Sequence, residues 1–223
     1  MNVIRQAIKQ GRSALSEFES KQVLAAYQIP ITREKLVHDL DTLLKASHEI
    51  GYPVVLKGCS SDSSHKTESG LIHLDIRNDD EAQLALDQIL GKMGAKNGAV
   101  LVQEMIEGKR ELAIGFTRDA QFGPCVMFGL GGIFAEVLND TAFRAAPIDT
   151  QDALEMMGEI KSNQILESIR GMPPVDKKSL AEMLIAVGRI GLEQDIIKEI
   201  DVNPVMISGR RPVAADALVI LET

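Results

Sequence analysis

Short runs of apolar residues alternate along this chain with longer segments in which apolar residues recur every three or four positions. The short runs predict buried strands, and the longer segments predict helices with one apolar face. Helices and strands alternate in the first half of the chain, whereas strands follow one another as hairpins in the second half. Neither an internal repeat nor a low-complexity tract interrupts this order. The pattern therefore predicts a mixed α+β fold.

Capping residues and prolines mark where several of these elements begin and end. Ser16 and Glu19 have the S-x-x-E spacing of a capping box, so a helix should begin near Phe18. Pro30 stops that segment, because the residue before a proline is disfavoured in the helical region. Helices are predicted over residues 3–10, 18–27, 39–50, 79–93, 150–169 and 176–192. Strands are predicted over residues 52–56, 71–76, 99–102, 111–117, 124–128, 134–138, 143–147, 196–202, 205–207 and 212–221.

A soft boundary between two α+β units falls near Ile106–Gly108, where a buried strand ends in a short connection with one glycine. We therefore expect an N-terminal subdomain of residues 1–106, which begins with helices. The C-terminal subdomain is expected to comprise residues 107–223. A chain of 223 residues with 45% hydrophobic content is long enough for either one large domain or two small ones.

Charge and composition exclude several classes of function. The net charge of −8 argues against a nucleic-acid-binding surface, which needs a basic stripe. The sequence has no apolar run of the roughly 18 residues that a membrane span requires, and its N-terminus lacks the apolar core of a signal peptide. Cys59 and Cys125 lie far apart and form no CxxC motif. We therefore expect a protein of the reducing cytoplasm without structural zinc or a membrane partner.

The segment from Gly51 to Gly70 is the first candidate for chemistry. A short apolar run ends at Lys57, and a loop of hydroxyl-bearing and charged residues follows it. Such a loop has free N–H and hydroxyl groups that can bind a phosphate. His65 lies within the loop beside Lys66, and its imidazole could accept a phosphoryl group. The alternative is a solvated lysine at a strand end and a surface histidine.

The segment EIDVNPV near the C-terminus is the second candidate. Side chains alternate between the two faces of a strand, so Glu199, Asp201 and Asn203 should share one face. Carboxylate and amide oxygens without sulfur or imidazole suit Mg²⁺. Asp216 lies within the final predicted strand and could approach Asn203 if the last strands pair across the turn at Ser208-Gly209. The alternative is a solvated strand face with acids beside nearby basic residues.

The connection from Gln103 to Glu111 is a weaker candidate for a nucleotide-binding segment. Backbone groups of Met105 and Ile106 could face a purine base, and Glu111 could bind the ribose hydroxyls. In most proteins, however, such a segment only joins two strands.

A glycine turn and an arginine complete the candidate residues. The turn Gly129–Gly132 lacks the spacing of both the Walker loop and the GxGxxG motif, and a plain glycine turn is its ordinary interpretation. Arg144 lies on an otherwise apolar strand and could reach a phosphate with both arms of its guanidinium group. Together the candidates supply the parts of a nucleotide site that is spread over the whole chain.

Taken in order, these segments resemble one known family. They are similar to the ATP-grasp β subunit of ADP-forming acetyl-CoA (acyl-CoA) synthetases and, more distantly, to the nucleotide-binding part of the succinyl-CoA synthetase β subunit. The resemblance covers nearly all of the chain from Glu19 onward. It is carried by Lys57 after PVVL, SHKT, VQEMIEGKRE, FGLGGIFAEVLND, AFRAAPI, EIDVNP and AADA.

The resemblance implies an ATP-grasp fold, in which two α+β subdomains clasp a nucleotide between antiparallel sheets. It also implies ATP or ADP and Mg²⁺ as cofactors. By position, the resemblance implies that Lys57 contacts the nucleotide phosphates, that Glu104, Met105 and Ile106 hold the adenine, and that Glu111 binds the ribose. It implies that Asp201, Asn203 and Asp216 bind Mg²⁺. Arg144 would neutralise phosphate charge, and His65 would carry a transient phosphoryl group as phosphohistidine.

The implied reaction is the reversible conversion of acyl-CoA, ADP and phosphate into a carboxylic acid, CoA and ATP. A separate CoA-binding α subunit would form the acyl phosphate and take the phosphoryl group on its own histidine, in an α2β2 heterotetramer. His65 would then relay the group to ADP. Two other functions stay open: a self-contained ATP-grasp ligase that joins a carboxylate to an amine, and a non-catalytic nucleotide-sensing module.

Overall fold

The structure is a computed structural model that describes residues 2–59, 70–94, 98–132 and 137–222. In chain order its elements are α1 (Asn2–Lys9), α2 (Glu17–Ala26), β1 (Glu34–Val37), α3 (Leu40–Ile50), β2 (Val54–Cys59), β3 (Ile72–Ile76), α4 (Asp79–Met93), β4 (Ala99–Glu104), β5 (Glu111–Asp119), β6 (Gly123–Leu130), β7 (Thr141–Ala145), α5 (Thr150–Glu159), a 3₁₀ turn (Asn163–Leu166), α6 (Lys177–Glu193), β8 (Ile197–Ser208), β9 (Arg211–Ala214) and β10 (Leu218–Leu221).

The chain forms two compact units, and the division corrects one expectation from the sequence. The smaller unit is Thr32–Ile106, and the larger combines Met1–Ile31 with Glu107–Thr223. The boundary after Ile106 coincides with the expected one. The first 31 residues, however, belong to the larger unit, because the apolar side chains of α1 and α2 pack into the same core as those of β5, β8 and α6.

The smaller unit is a four-stranded antiparallel sheet with the strand order β1-β4-β2-β3. Its core lies on one face of the sheet, where side chains of β2 and β4 pack against α3 and α4. Both helices begin at a capping side chain: Asp39 accepts from the amide of Thr42, and Asn78 accepts from that of Glu81. Such caps satisfy backbone donors that the first helical turn leaves unpaired. The sequence pattern missed β1, which is short and carries two charged residues.

The larger unit is built on an antiparallel sheet with the strand order β10-β8-β5-β6-β7, and β9 also pairs with β8. Helices α5 and α6 pack against one face. A Cβ on Gly188 of α6 would lie 3.0 Å from a methyl carbon of Val126, which shows how closely this helix approaches β6. Residues directly opposite one another in antiparallel strands share a face. Ile200, Phe116 and Val126 therefore face the helices, whereas the neighbouring row of Asp201, Gly115 and Met127 faces away from them.

Further sequence expectations differ from the structure in detail, and the strands expected over 196–202 and 205–207 form the single strand β8. The strand expected over 134–138 falls mostly on residues outside the described ones, and the described Val137 and Leu138 are helical. The helix expected over 150–169 ends at Glu159, where a short 3₁₀ turn follows. The single final strand expected over 212–221 is divided into β9 and β10 by residues 215–217.

Across the described ranges, no helix combines the length and apolar character that crossing a membrane demands. Cys59 and Cys125 are both free thiols.

Candidate functional site

The face of the larger sheet that points away from α5 and α6 carries the oxygen groups predicted from the sequence. Ile200 and Val202 of β8 are 1% and 0% exposed and pack into the helix-covered core. Their neighbours Glu199, Asp201 and Asn203 lie on the other face, as the alternation along a strand requires. The expected common face of these three residues is thus confirmed.

Asp216 lies in the interruption between β9 and β10, where its backbone leaves the regular ladder. The preceding residue, Ala215, donates its amide to the carbonyl of Pro204 at 3.0 Å. Oδ1 of Asp216 accepts from the amide of Ala217 at 2.7 Å. The Ala215–Pro204 bond places Asp216 beside the segment of β8 that begins at Asn203, as expected if the last strands paired.

Electrostatics support a divalent cation at this cluster. Burial, followed by the charges of Glu199 and Asp216, raises the pKa of Asp201 from 3.8 to about 6. Clustered carboxylates of this kind are stabilised when a cation binds between them. Within the described ranges, no metal-binding group can be formed from three or more His, Cys, Asp and Glu side chains. Two carboxylates with the amide oxygen of Asn203 fit Mg²⁺, which takes few protein ligands and completes its shell with phosphates and water.

The raised pKa of Asp201 has a measurable consequence for stability in the absence of metal. The carboxyl group titrates at about pH 6 in the folded chain and near 3.8 when unfolded, so stability should fall as the pH rises between these values. Above pH 6 the full cost is present, and it is on the order of 3 kcal/mol. Asp201→Asn should therefore raise the free energy of unfolding near neutral pH, and the gain should vanish in acid.

Chemical denaturation over a pH series, with Mg²⁺ removed by a chelator, measures this effect. Asp195→Asn serves as the control, because the Asp195 side chain is 99% exposed and should produce no such pH window. Equal unfolding free energies for wild type and Asp201→Asn at every pH would contradict the burial of a charged carboxylate in this cluster.

The glycine turn that follows β6 closes against the same site. The amide of Gly132 donates to Oδ1 of Asn203 at 2.9 Å, and the amide of Gly131 donates to the carbonyl of Glu111 at 2.9 Å. A Cβ at Gly131 would lie 2.6 Å from the carbonyl carbon of Leu112 and would overlap its oxygen. A Cβ at Gly132, where φ is +59°, would overlap the carboxylate of Glu111. Glycine is therefore required here by close backbone approach, which sequence spacing did not indicate.

Arg144 is not brought together with the acidic cluster. It lies opposite Val126 and therefore on the face covered by helices, whereas Asp201 is on the opposite face. Its guanidinium group makes two bonds to the Glu159 carboxylate of α5 and lies 3.9 Å from Glu155. The hydrogen bonds to Glu159 raise the pKa of Arg144. This placement does not support the expected phosphate contact. Arg144 instead attaches α5 to the edge strand β7.

Lys57 lies within β2, since this strand continues to Cys59 and does not end at the lysine. Its neighbours across the sheet are Ile72 on β3 and Leu101 on β4. The preceding residue, Leu56, packs under the helices of the smaller unit, so Lys57 points to the other face. The residue is only 6% exposed, and a buried ammonium is stabilised by anionic or polar groups. The position remains compatible with the predicted phosphate contact.

The predicted adenine segment begins where β4 ends. The Glu104 carboxylate accepts from both the amide and Nε of Arg33 at 2.7 Å, so it is engaged within the smaller unit. Met105 and Ile106 are half-buried and lie outside any strand or helix. Their backbone groups therefore take no part in a sheet ladder. This is what the predicted contact to a purine edge requires. His65 and residues 60–69 around it lie outside the described residues, so its predicted role stays a prediction.

Two buried ionic features were missed by sequence reasoning. Arg110 is 3% exposed and donates to the carbonyl groups of Ile165, Glu167, Pro173 and Gly209. Glu17 and Lys21 form a buried ion pair on α2, with Nζ and Oε1 2.9 Å apart. Their i,i+4 spacing resembles an ordinary exposed helix pair. The only local signal is that they continue the stripe of buried positions that includes Leu24.

Comparison with known proteins identifies a consistent group of relatives. A family model described as an ATP-grasp domain matches residues 6–221. Subunit beta of acetate–CoA ligase I (ADP-forming) from Pyrococcus furiosus is 43% identical over 212 residues, which are 93% of this chain and 91% of that subunit.

Solved structures give the same result. The chain matches dinucleotide-forming acetyl-coenzyme A synthetase 1 of Ca. Korarchaeum cryptofilum, in complex with coenzyme A, Ca-AMPCP and HgCl+, with a TM-score of 0.94 and 39% identity over 99% of both chains. A second structure of that protein, with coenzyme A and Mg-AMPPCP, matches with a TM-score of 0.88 and 39% identity over 99% of both chains. Its phosphohistidine segment is described as pointing towards the nucleotide binding site.

Proposed function

This chain belongs to the ATP-grasp domain family, among the β subunits of ADP-forming acetate–CoA ligases, and we propose that it transfers a phosphoryl group to ADP for such a ligase. Its fold is the ATP-grasp fold, with the two antiparallel sheets that the resemblance implied. The overall reaction converts acyl-CoA, ADP and phosphate into a carboxylic acid, CoA and ATP, and it is reversible.

The observation that carries the proposal is the oxygen cluster on the face of the larger sheet that points away from α5 and α6. Asp201, Asn203 and Asp216 would hold Mg²⁺ there, and the ion would supply charge neutralisation for nucleotide phosphates. The turn at Gly131 and Gly132 closes one side of the cluster and orients the Asn203 amide by a hydrogen bond to Oδ1. That bond leaves the second lone pair of Oδ1 available to a cation.

The remaining residues of the proposal serve nucleotide binding. Lys57 would contact the phosphates as a buried point charge. Backbone groups of Glu104, Met105 and Ile106 would bind the adenine, and Glu111 the ribose. Phosphoryl transfer depends mainly on positioning and on neutralising charge, and these residues supply both.

His65 is proposed as the carrier of the phosphoryl group. In the forward direction, an imidazole nitrogen of His65 attacks the phosphorus of a phosphohistidine on the partner subunit, and the partner's imidazole leaves. A terminal oxygen of the ADP β-phosphate then attacks the phosphorus on His65, which yields ATP and restores the free imidazole. The Korarchaeum enzyme supports this role, since its phosphohistidine segment points towards the nucleotide binding site.

A separate CoA-binding α subunit is proposed as the partner, and α2β2 as the assembly. The support is that the Pyrococcus relative, which is 43% identical to this chain, is itself named as a beta subunit. This chain alone should therefore bind nucleotide but should not convert acyl-CoA, and the choice of acyl group should depend on the partner.

Labelling with γ-³²P-ATP tests the proposal directly. Incubating the chain with labelled ATP and Mg²⁺ should leave acid-labile, alkali-stable label on the protein, which is the signature of phosphohistidine. Adding the CoA-binding subunit, CoA and acetate should then discharge the label. A protein that stays unlabelled while it converts ATP to ADP with a carboxylate and an amine would contradict the proposal and indicate a self-contained ligase. A protein that binds nucleotide without either reaction would indicate a sensing module.

A further inference from the structure

The Glu17–Lys21 ion pair of α2 is almost completely buried. The side chains are 1% and 0% exposed, and the two atoms of the pair are 2.9 Å apart. Removing two charges from water is costly, and apolar residues of similar volume often stabilise a fold equally well. The contacts that Lys21 makes outside its own helix therefore indicate what the charge does.

Lys21 contacts the segment that carries Asp216. Its Nζ donates to the carbonyl oxygen of Ala215 at 3.3 Å. The amide of the same Ala215 donates to the carbonyl of Pro204 at 3.0 Å. Ala215 is thus bonded to Lys21 through its carbonyl and to Pro204, the residue after Asn203, through its amide. Both segments that bear proposed cation ligands meet at this one residue.

Helix α2 provides a fixed support for this contact. Ser20 is fully buried, and its hydroxyl accepts from the amide of Val219 at 3.1 Å. Just before the helix, the amide of Leu15 donates to the carbonyl of Val219 at 2.9 Å. The helix is therefore held to β10 on the C-terminal side of Asp216, while Lys21 holds Ala215 on its N-terminal side. Asp216 lies between these two anchored positions, in the interruption between β9 and β10.

We propose that Lys21 is a positioning residue for the cation site, which holds the Ala215 carbonyl and thereby directs Asp216 towards Asn203 and Asp201. The inference rests on the cation site of the proposed function and adds a residue outside it. Groups that orient metal ligands typically change metal affinity by about 10–100-fold when they are removed.

Lys21→Met tests the proposal, since methionine keeps most of the apolar stem and removes the ammonium. Titration of ADP into the full chain by calorimetry, over a series of Mg²⁺ concentrations, gives the apparent Mg²⁺ affinity. We expect it to weaken by about tenfold or more. Binding of ADP in the presence of a chelator should be unchanged, because no contact of Lys21 to nucleotide is proposed. Lys21→Arg should recover part of the affinity.

The controls separate positioning from stability. Arg118→Met removes another cation that binds backbone carbonyls, those of Ile197 and Gly191, and it should lower thermal stability without changing Mg²⁺ affinity. If Lys21→Met behaves like Arg118→Met, the inference is overturned. If Lys21→Met does not fold, the double variant Glu17→Gln/Lys21→Met leaves no lone buried charge, and wild-type Mg²⁺ affinity in it would equally overturn the inference. Asp216→Asn must abolish the Mg²⁺ dependence; its failure to do so would reject the cation site itself.

Discussion

Replacing His65 with alanine should abolish ATP formation from acyl-CoA, ADP and phosphate in the complete enzyme, by roughly 10⁴-fold or more, because a covalent carrier has no substitute among neighbouring groups. Binding of ADP with Mg²⁺ should be nearly unchanged, since the residues proposed for nucleotide binding are retained. The chain should also lose its acid-labile label from γ-³²P-ATP. A coupled assay of ATP release, with calorimetry on the isolated chain, measures both properties.

His48→Ala is a matched control within the same unit. Its imidazole is exposed and lies 2.8 Å from the carboxylate of Asp79, so its loss should affect neither labelling nor turnover. If His65→Ala retained full activity with the partner subunit, the phosphoryl relay would be rejected, and the calorimetry would test the nucleotide site separately. If both variants lost activity equally, the loss would reflect disturbance of the smaller unit and would not support a relay.

Gly131→Ala should produce the second largest effect. The new methyl group would overlap the carbonyl oxygen of Leu112, and neither backbone can yield without moving the turn away from β5. We expect a loss of about 1–3 kcal/mol in the free energy of unfolding. Displacement of the turn would also withdraw the Gly132 amide from Asn203, and a shift of about 1 Å at a site of phosphoryl transfer can cost about 100-fold in rate.

Gly158→Ala is the control for this substitution. Gly158 lies in α5, and a Cβ there would meet no atom within 4 Å. Alanine is favoured over glycine in a helix by roughly 0.5–1 kcal/mol, so this variant should be as stable as the wild type or more so, with unchanged turnover. Urea denaturation and steady-state kinetics with varied ADP distinguish the two variants. Wild-type kinetics in Gly131→Ala would show that the turn plays no part in the site.

Local patterns predicted most of the elements because the signals involved span only a few residues. The capping box of Ser16 and Glu19 is present as expected, and Asp176 caps α6. The alternation along EIDVN placed Asp201 and Asn203 on a common face, since the period of a strand is the same in any sheet. The ATP-grasp family and the mixed fold likewise followed from motifs in order along the chain, and the comparisons confirm them.

Contacts between side chains that lie far apart in sequence could not be predicted from such local patterns. Arg144 has the same sequence neighbours whichever face of β7 is covered, and only the pairing with Val126 and the packing of α5 place it beneath helices. The spacing of the glycine turn indicated no particular role in the sequence. The atoms that leave no room for a Cβ there belong to Glu111 and Leu112 on another strand.

The periodicities, the caps and the oxygen-rich chemistry of the C-terminal segment were predictable from local sequence, because they depend on residues adjacent along the chain. Three-dimensional packing was needed to show that the first 31 residues belong with the C-terminal unit and that Lys21 contacts Ala215. Lys21 and Ala215 are separated by 194 positions, and their contact depends on the register of β10 with β8 and on how α2 packs against β10. Such contacts form because distant segments bury a shared core, and they cannot be predicted from any short segment of the sequence.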